Sequence, residues 1–259
     1  MTRPTVALLG LGEAGSRLAG DLVEAVVDVR AYDPEGLDVG GVARFPDSEA
    51  AVAGADVVLS VNSAAAAFGA AAAALPALRP GSIYADLNTA SPKLKREVAT
   101  LVEGAGVRFA DVALIGTVPA CGLRTAALAS GSGAEDFAKA LGPLGMPVEV
   151  VSDRPGDAAS LKLLRSVFMK GMAAAAIESL QAAEAAGQRD WLERQLAAVL
   201  GEPMLRRLLE GSRLHAARRV DEMGAARDLL IELGVEPRIA TASASLLAEL
   251  AAASQSGER

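Results

Sequence analysis

Val6-Ala7-Leu8-Leu9-Gly10-Leu11-Gly12-Glu13-Ala14-Gly15 begins as an apolar run and ends as G-x-G-x-x-G. In isolation the glycine pattern is weak evidence, because 26 Gly are spread through 259 residues. Its context makes it informative. It follows a strand-like run, opens a helical stretch over residues 16–26 and heads an alternating β/α pattern. In such a turn the first glycine permits the tight bend, the second lets the backbone approach a pyrophosphate, and the third lets helix and strand pack closely. The helix N-terminus then offers its free N–H groups to phosphate. Asp33 closes the next strand-like run, 18 residues after Gly15. A carboxylate there binds both ribose hydroxyls and repels a 2′-phosphate. Asp33-Pro34-Glu35 carries no Arg to receive that phosphate, so the expected cofactor is NAD or NADP, with NAD favoured.

Working outward, residues 6–9, 27–32, 42–45, 56–61, 82–86, 107–113, 126–129 and 148–151 read as strands separated by helical stretches. Near-continuous apolar strands of this kind belong to a parallel sheet covered on both faces. Right-handed crossovers make that an α/β, Rossmann-type doubly wound fold. After Asp157 the strand signals stop. Residues 158–186 read as one long helix, followed by helices near 189–200, 203–210, 212–233 and 237–252. The expected organisation is a cofactor-binding domain over 1–155, an all-α domain for substrate and dimerisation over 156–253, and a frayed tail over 254–259.

Composition removes several functional classes. A formal charge of −7 argues against nucleic acid as a partner, since such proteins carry a basic surface. One Cys and one His supply neither a disulfide nor a metal site, so no metal is expected. The chain is 51% hydrophobic, too apolar to be disordered. Its longest apolar stretch, residues 64–78, is interrupted by Gly69 and Pro76 and is too short to cross a bilayer. The first residues do not read as a signal peptide. These readings together lead us to expect a soluble cytoplasmic protein with no membrane partner.

Only five Lys accompany 20 Arg, and two of the five fall in the long apolar helix. At 100° per residue, Lys162, Ser166 and Lys170 lie within about 80° of one face. Leu161, Leu163, Leu164, Val167, Phe168 and Met169 around them suggest burial, which lowers an amine pKa and suits it to exchange protons near neutrality. On spacing alone, a lysine whose stem snorkels to solvent is the commoner case.

Four segments together resemble the β-hydroxyacid dehydrogenase superfamily, which includes 3-hydroxyisobutyrate and 6-phosphogluconate dehydrogenases, and within it a branch with a distinct small helical C-terminal domain. They are the Gly10–Gly15 turn; Asp86-Leu87-Asn88-Thr89-Ala90-Ser91-Pro92, similar to D-x-S-T-x-x-P; Phe109-Ala110-Asp111-Val112-Ala113-Leu114-Ile115-Gly116, similar to F-x-D-A-P-V-S-G; and Gly156 to Lys162, with the spacing of G-x-G-x-x-x-K. The resemblance implies that Lys162 is the general acid/base, taking the hydroxyl proton as hydride passes to nicotinamide and returning it in reduction. The candidate cofactor-binding set is Gly10, Leu11, Gly12, Glu13, Ala14, Gly15, Asp33, Val61, Asn62, Asn88 and Thr89. This chain departs from the family at three positions: Ile115 stands where it has Ser, Thr117 where it has a second Gly, and Ser166 where it has Asn. Those residues hold the substrate carboxylate and hydroxyl in the family, so Ile115, Gly116, Thr117, Ser166 and Lys170 become the candidate substrate set, with Lys170 as a replacement positive charge.

His215, Arg218, Arg219 and Glu222 recur at helical spacing. That face reads either as a solvated, ion-paired surface or as a lid over an anionic substrate, for which His215 and Arg219 are candidates. Cys121 reads as a pocket-lining thiol rather than a nucleophile. The expected activity is NAD(P)-dependent hydride transfer with a small, anionic, hydroxy-acid-like substrate. An imine reductase-like enzyme and a non-catalytic nicotinamide-binding sensor or assembly subunit are the alternatives. Gly171 beside Ala173-Ala174-Ala175-Ala176 gives the long helix a smooth face, from which a homodimer is expected.

Overall fold

The computed structural model describes residues 4–35 and 38–257. The chain divides into two compact units, Met1–Lys162 and Leu163–Arg259. The first begins β1 (Thr5–Leu9), α1 (Glu13–Glu24), β2 (Asp28–Tyr32), β3 (Ala43–Arg44), α2 (Ser48–Val52), β4 (Val57–Ser60) and α3 (Ala64–Ala74). It continues β5 (Ile83–Asp86), α4 (Pro92–Glu103), β6 (Arg108–Leu114), α5 (Val118–Cys121), β7 (Ala127–Ser130), α6 (Ala134–Leu141) and β8 (Val148–Ser152).

Eight strands form one sheet in the order β3-β2-β1-β4-β5-β6-β7-β8. Successive residues of a strand point to opposite faces, and here both faces are covered. Val6, Leu8, Val29 and Leu59 therefore join one core with Leu18 and Leu22 of α1 and Phe137 of α6. Ala7, Leu9, Val58, Tyr84 and Phe109 join the other, with Val98 and Val102 of α4. This is the doubly wound architecture read from the sequence, with one exception to the parallel pattern. β7 runs antiparallel to β6, setting Asp111 opposite Ser130 and Leu114 opposite Ala127. The connection between those strands holds the four-residue α5 and a three-residue 3-10 turn, Gly122–Arg124, where a parallel return ordinarily uses a full crossover helix.

The long helix α7 (Asp157–Ala185) carries the chain across the boundary between Lys162 and Leu163. The second unit continues with α8 (Arg189–Leu200), α9 (Glu202–Leu214), α10 (Ala216–Glu232) and α11 (Arg238–Gly257). Leu163, Met223, Ala226, Leu229 and Leu247 form its core. The single helix expected over 212–233 is broken at His215, which takes φ −120° and ψ 29°. The hydrogen-bond ladder bridges the bend, with His215 N donating to Gly211 O and Arg219 N donating to His215 O. Arg219 folds back over the side-chain-free Gly211 and donates from Nη1 to Ser212 Oγ at 2.6 Å, and the chain bends at this point. Helix α11 continues through Ser254 to Gly257, part of the stretch read as a frayed tail. Glu258 and Arg259 lie outside the described residues.

The smooth face of α7 is used within the chain. A Cβ on Gly171 would stand 2.7 Å from Ile239 Cγ2 of α11, and Ala173 and Ala176 are buried. Burial of α7 is also less even than its sequence suggests: Leu163 is enclosed, whereas Leu161, Leu164 and Phe168 are exposed. Among the described residues no helix is long and apolar enough to cross a membrane.

Candidate functional site

The carboxyl ends of β1, β4 and β5 lie side by side, the edge at which open α/β sheets receive ligands. The glycine turn leaves β1 there. Gly10 has φ +111°, and a Cβ on it would lie 2.3 Å from Val61 O. A Cβ on Gly15 would lie 2.1 Å from Gly10 O. These two glycines are required by the protein's own backbone. Gly12 is different: a Cβ there would meet nothing within 4 Å, and it caps α1 without a side-chain hydrogen bond. The open space in front of the helix start fits a phosphate approaching its N–H groups.

Asp33, at the end of β2, is buried beside this turn. Its Oδ2 accepts from Leu11 N at 2.6 Å and its Oδ1 from Glu35 N at 2.8 Å. Each carboxylate oxygen retains capacity for a second donor such as a ribose hydroxyl. Turn and acid thus both fit a nicotinamide dinucleotide. After β4, Asn62 N donates to Asn88 Oδ1 at 2.6 Å. Asn88 Nδ2 in turn donates to Asp86 Oδ1 at 2.6 Å and to Ser60 Oγ at 3.1 Å.

Lys162 reaches this edge from α7, where its Nζ donates to Thr89 Oγ1 at 2.9 Å. The structure therefore brings together Asn62, Asn88, Thr89 and Lys162, four sequence candidates from three separate segments. Ile115 follows β6, half-buried, with its N–H donating to Ala126 O at 2.7 Å; Gly116, Thr117 and Cys121 are exposed.

In the helical unit, Ser166 and Lys170 form a cluster with Glu222. Ser166 Oγ donates to Glu222 Oε1 of α10. Lys170 Nζ donates to the same oxygen at 2.7 Å and to Ser166 Oγ at 3.1 Å. Burial pushes the Lys170 pKa down; Glu222 pulls it up, and Arg219 and Arg165 push it down again, leaving it below its usual value. Arg219 is likewise lowered, chiefly by burial. Lys170, expected as a replacement charge for substrate, is an ion-pair partner of Glu222. His215 stands at the bend between α9 and α10, so the continuous four-residue face read from the sequence is interrupted.

Sequence reasoning missed Lys95. Its Nζ lies 3.3 Å from Asp86 Oδ2 and 3.3 Å from Asp111 Oδ1, and all three side chains are sealed from water. The available signal was position: Lys95 lies three, four and seven residues before Val98, Ala99 and Val102, on the apolar stripe of its helix.

Comparison with known proteins agrees with this geometry. Residues 5–145 match the family described as the NAD binding domain of 6-phosphogluconate dehydrogenase. Residues 183–250 match a domain of unknown function, DUF1932. A conserved hypothetical protein of Sinorhizobium meliloti has a crystal structure 31% identical to this chain, covering 95% of this chain and 88% of its own, with a TM-score of 0.76. Mycobacterium tuberculosis 3-hydroxyisobutyrate dehydrogenase superposes with a TM-score of 0.82 at 22% identity, over 97% of this chain and 94% of its own. An imine reductase from Myxococcus stipitatus superposes with a TM-score of 0.68 at 19% identity, over 97% and 95%. At such identities the last two establish likeness of fold alone.

Proposed function

As this chain belongs to the family of the 6-phosphogluconate dehydrogenase NAD-binding domain, within the β-hydroxyacid dehydrogenase superfamily, we propose that it is an NAD(P)-dependent oxidoreductase acting on a small hydroxy acid, with Lys162 as its proton donor and acceptor. The observation that carries this reading is the Lys162 amine held 2.9 Å from Thr89 Oγ1. The contact supports the reading because it holds an amine in the same unit as the glycine turn, beside the strand ends.

A bound nicotinamide supplies the hydride chemistry. The chain's own residues supply the rest. Gly12 and the first turn of α1 receive the pyrophosphate, and Asp33 accepts from the ribose, which favours NAD because a 2′-phosphate would meet its carboxylate. Thr89 accepts a hydrogen bond from the Lys162 Nζ and so helps to fix the position of the amine beside a substrate oxygen. In oxidation the amine takes the hydroxyl proton, and in reduction the ammonium returns it.

The test is Lys162→Met against a panel of 3-hydroxy acids. NADH binding should persist while turnover falls by about 10²–10⁴-fold, the usual contribution of general acid–base catalysis. Full turnover in the variant removes Lys162 from the role. A second reading, reduction of a carbon–nitrogen double bond, is favoured by apolar Ile115 and by Ser166 being engaged with Glu222. Cyclic imines in the same panel separate the two. NADH binding with no turnover across the panel supports a sensor instead.

A further inference from the structure

Resting on the proton-transfer role proposed for Lys162, we infer that Lys95 is a positioning residue whose buried ammonium clamps together the two segments that hold the Lys162 amine. A lysine on the apolar stripe of a helix ordinarily extends its stem to water. Lys95 does not, and is 1% exposed. Its two carboxylate partners, Asp86 and Asp111, face one another in the register of β5 and β6 and are both 0% exposed. Nζ also donates to Asp86 O at 2.6 Å.

Each carboxylate faces the ammonium with one oxygen and the site with the other. The inner pair, Asp86 Oδ2 and Asp111 Oδ1, has no hydrogen-bond donor, so the charge of Lys95 is what compensates them. The outer pair is fully engaged. Asp86 Oδ1 accepts from Asn88 N at 3.0 Å and from Asn88 Nδ2 at 2.6 Å. Asn88 directly precedes Thr89, whose hydroxyl accepts the hydrogen bond from Lys162 Nζ. Asp111 Oδ2 accepts from Gly156 N at 3.1 Å and Ala159 N at 3.0 Å, capping the start of α7, with Ser130 Oγ as a third donor at 3.2 Å. Lys162 lies three residues beyond Ala159, less than one helical turn. One arm of the clamp thus fixes the hydroxyl that orients the amine, and the other fixes the helix that carries it. Without the ammonium, two buried like charges face each other and the arms separate.

The test is Lys95→Met in the full chain. Reductive methylation with ¹³C-formaldehyde labels accessible amines, and of the five lysines only the four other than the sealed Lys95 contribute to the spectrum. Wild-type Lys162 should resonate apart from exposed Lys139, and in Lys95→Met its signal should collapse toward the Lys139 position. With the best substrate of the panel, kcat should fall by tens of fold, approaching the ~100-fold cost of a misplacement of about 1 Å, while the KM for NADH stays within about threefold. Should Lys95→Met fail to fold, Asp111→Asn keeps the side-chain shape, weakens only the α7 arm and is read in the same way. A folded variant with both the Lys162 signal and kcat unchanged overturns the inference, whatever its Tm. The resonance requires no substrate. If it collapses in a protein whose Lys162→Met variant retains full turnover, the proton-transfer reading fails and the clamp remains.

Discussion

Lys95 and Lys170 are both helix lysines sheltered from water, and each unit of the molecule accommodates its own in a different way. Lys95 sits between two carboxylates that also receive backbone N–H groups, so its charge is coupled to the path of the chain. Lys170 meets one carboxylate, Glu222, and a serine hydroxyl, with their side chains 14% and 11% exposed for lysine and glutamate. The contacts described for that cluster run from side chain to side chain. A buried charge that organises backbone acts on whatever that backbone carries, whereas one satisfied by side chains mainly joins two helices.

Removing a carboxylate from each cluster tests this contrast. Asp111→Ala should have the larger effect. It deprives Lys95 of one partner and leaves Gly156 and Ala159 N–H without their acceptor, a loss of about 3–5 kcal/mol, as for other broken buried ion pairs. Urea denaturation measures it, and a loss under about 1 kcal/mol would mean that water or a neighbour replaces the carboxylate. Glu222→Gln should cost less, about 1–3 kcal/mol, because that pair is only partly enclosed. Its deficit should also depend on pH. Lys170 gives up its proton more readily in the folded chain than its usual value of 10.5 would allow. The unfolded chain therefore binds more protons, and stability rises as pH climbs toward 10.5. Thermal unfolding of the variant at neutral and alkaline pH should show the deficit shrinking; a constant deficit would break the comparison.

The smallest expected effect concerns Asp157 in the first turn of α7. Burial pushes its pKa up, but hydrogen bonds from Ser152 and Arg154 outweigh this and leave it below 3.8. A carboxylate held low in the folded state contributes its stability above the unfolded pKa and loses it as pH falls through the folded one. Asp157→Asn should cost about 0.3–1 kcal/mol at pH 7, the usual worth of an acid at a helix start. The gap from wild type should close well below pH 3.8, and a gap that persists there assigns the effect to shape rather than charge.

What the sequence conveyed and what it concealed divide along the same physical line. All eight strands were legible: the central ones because strands covered on both faces must be apolar along their length, and the short exposed edge strand β3 because of its β-rich composition between turn residues. The reversal of β7 was not, since an apolar run has the same appearance in either direction. The cofactor turn was legible because its glycines and Asp33 stand at fixed local offsets. Lys95 was not, because its meaning lies in Asp86 and Asp111, nine and sixteen residues away and joined to it only through sheet register. Glu222 stayed hidden in the same way. Its contact with Ser166 spans 56 residues, and helical spacing grouped it instead with His215, across a bend that spacing does not reveal.

Asp33 sets a limit on how this protein can change. The carboxylate proposed to meet a ribose also receives Leu11 N from the middle of the glycine turn and Glu35 N from the chain beyond β2. Replacing it with a neutral or basic residue, the direct route to accepting a 2′-phosphate, would also release the turn on which any dinucleotide rests. Nucleotide preference in this chain is thus not an independently adjustable trait at position 33. Selection or engineering would have to work from Pro34, Glu35 and their neighbours, adding cations around an acid that stays in place.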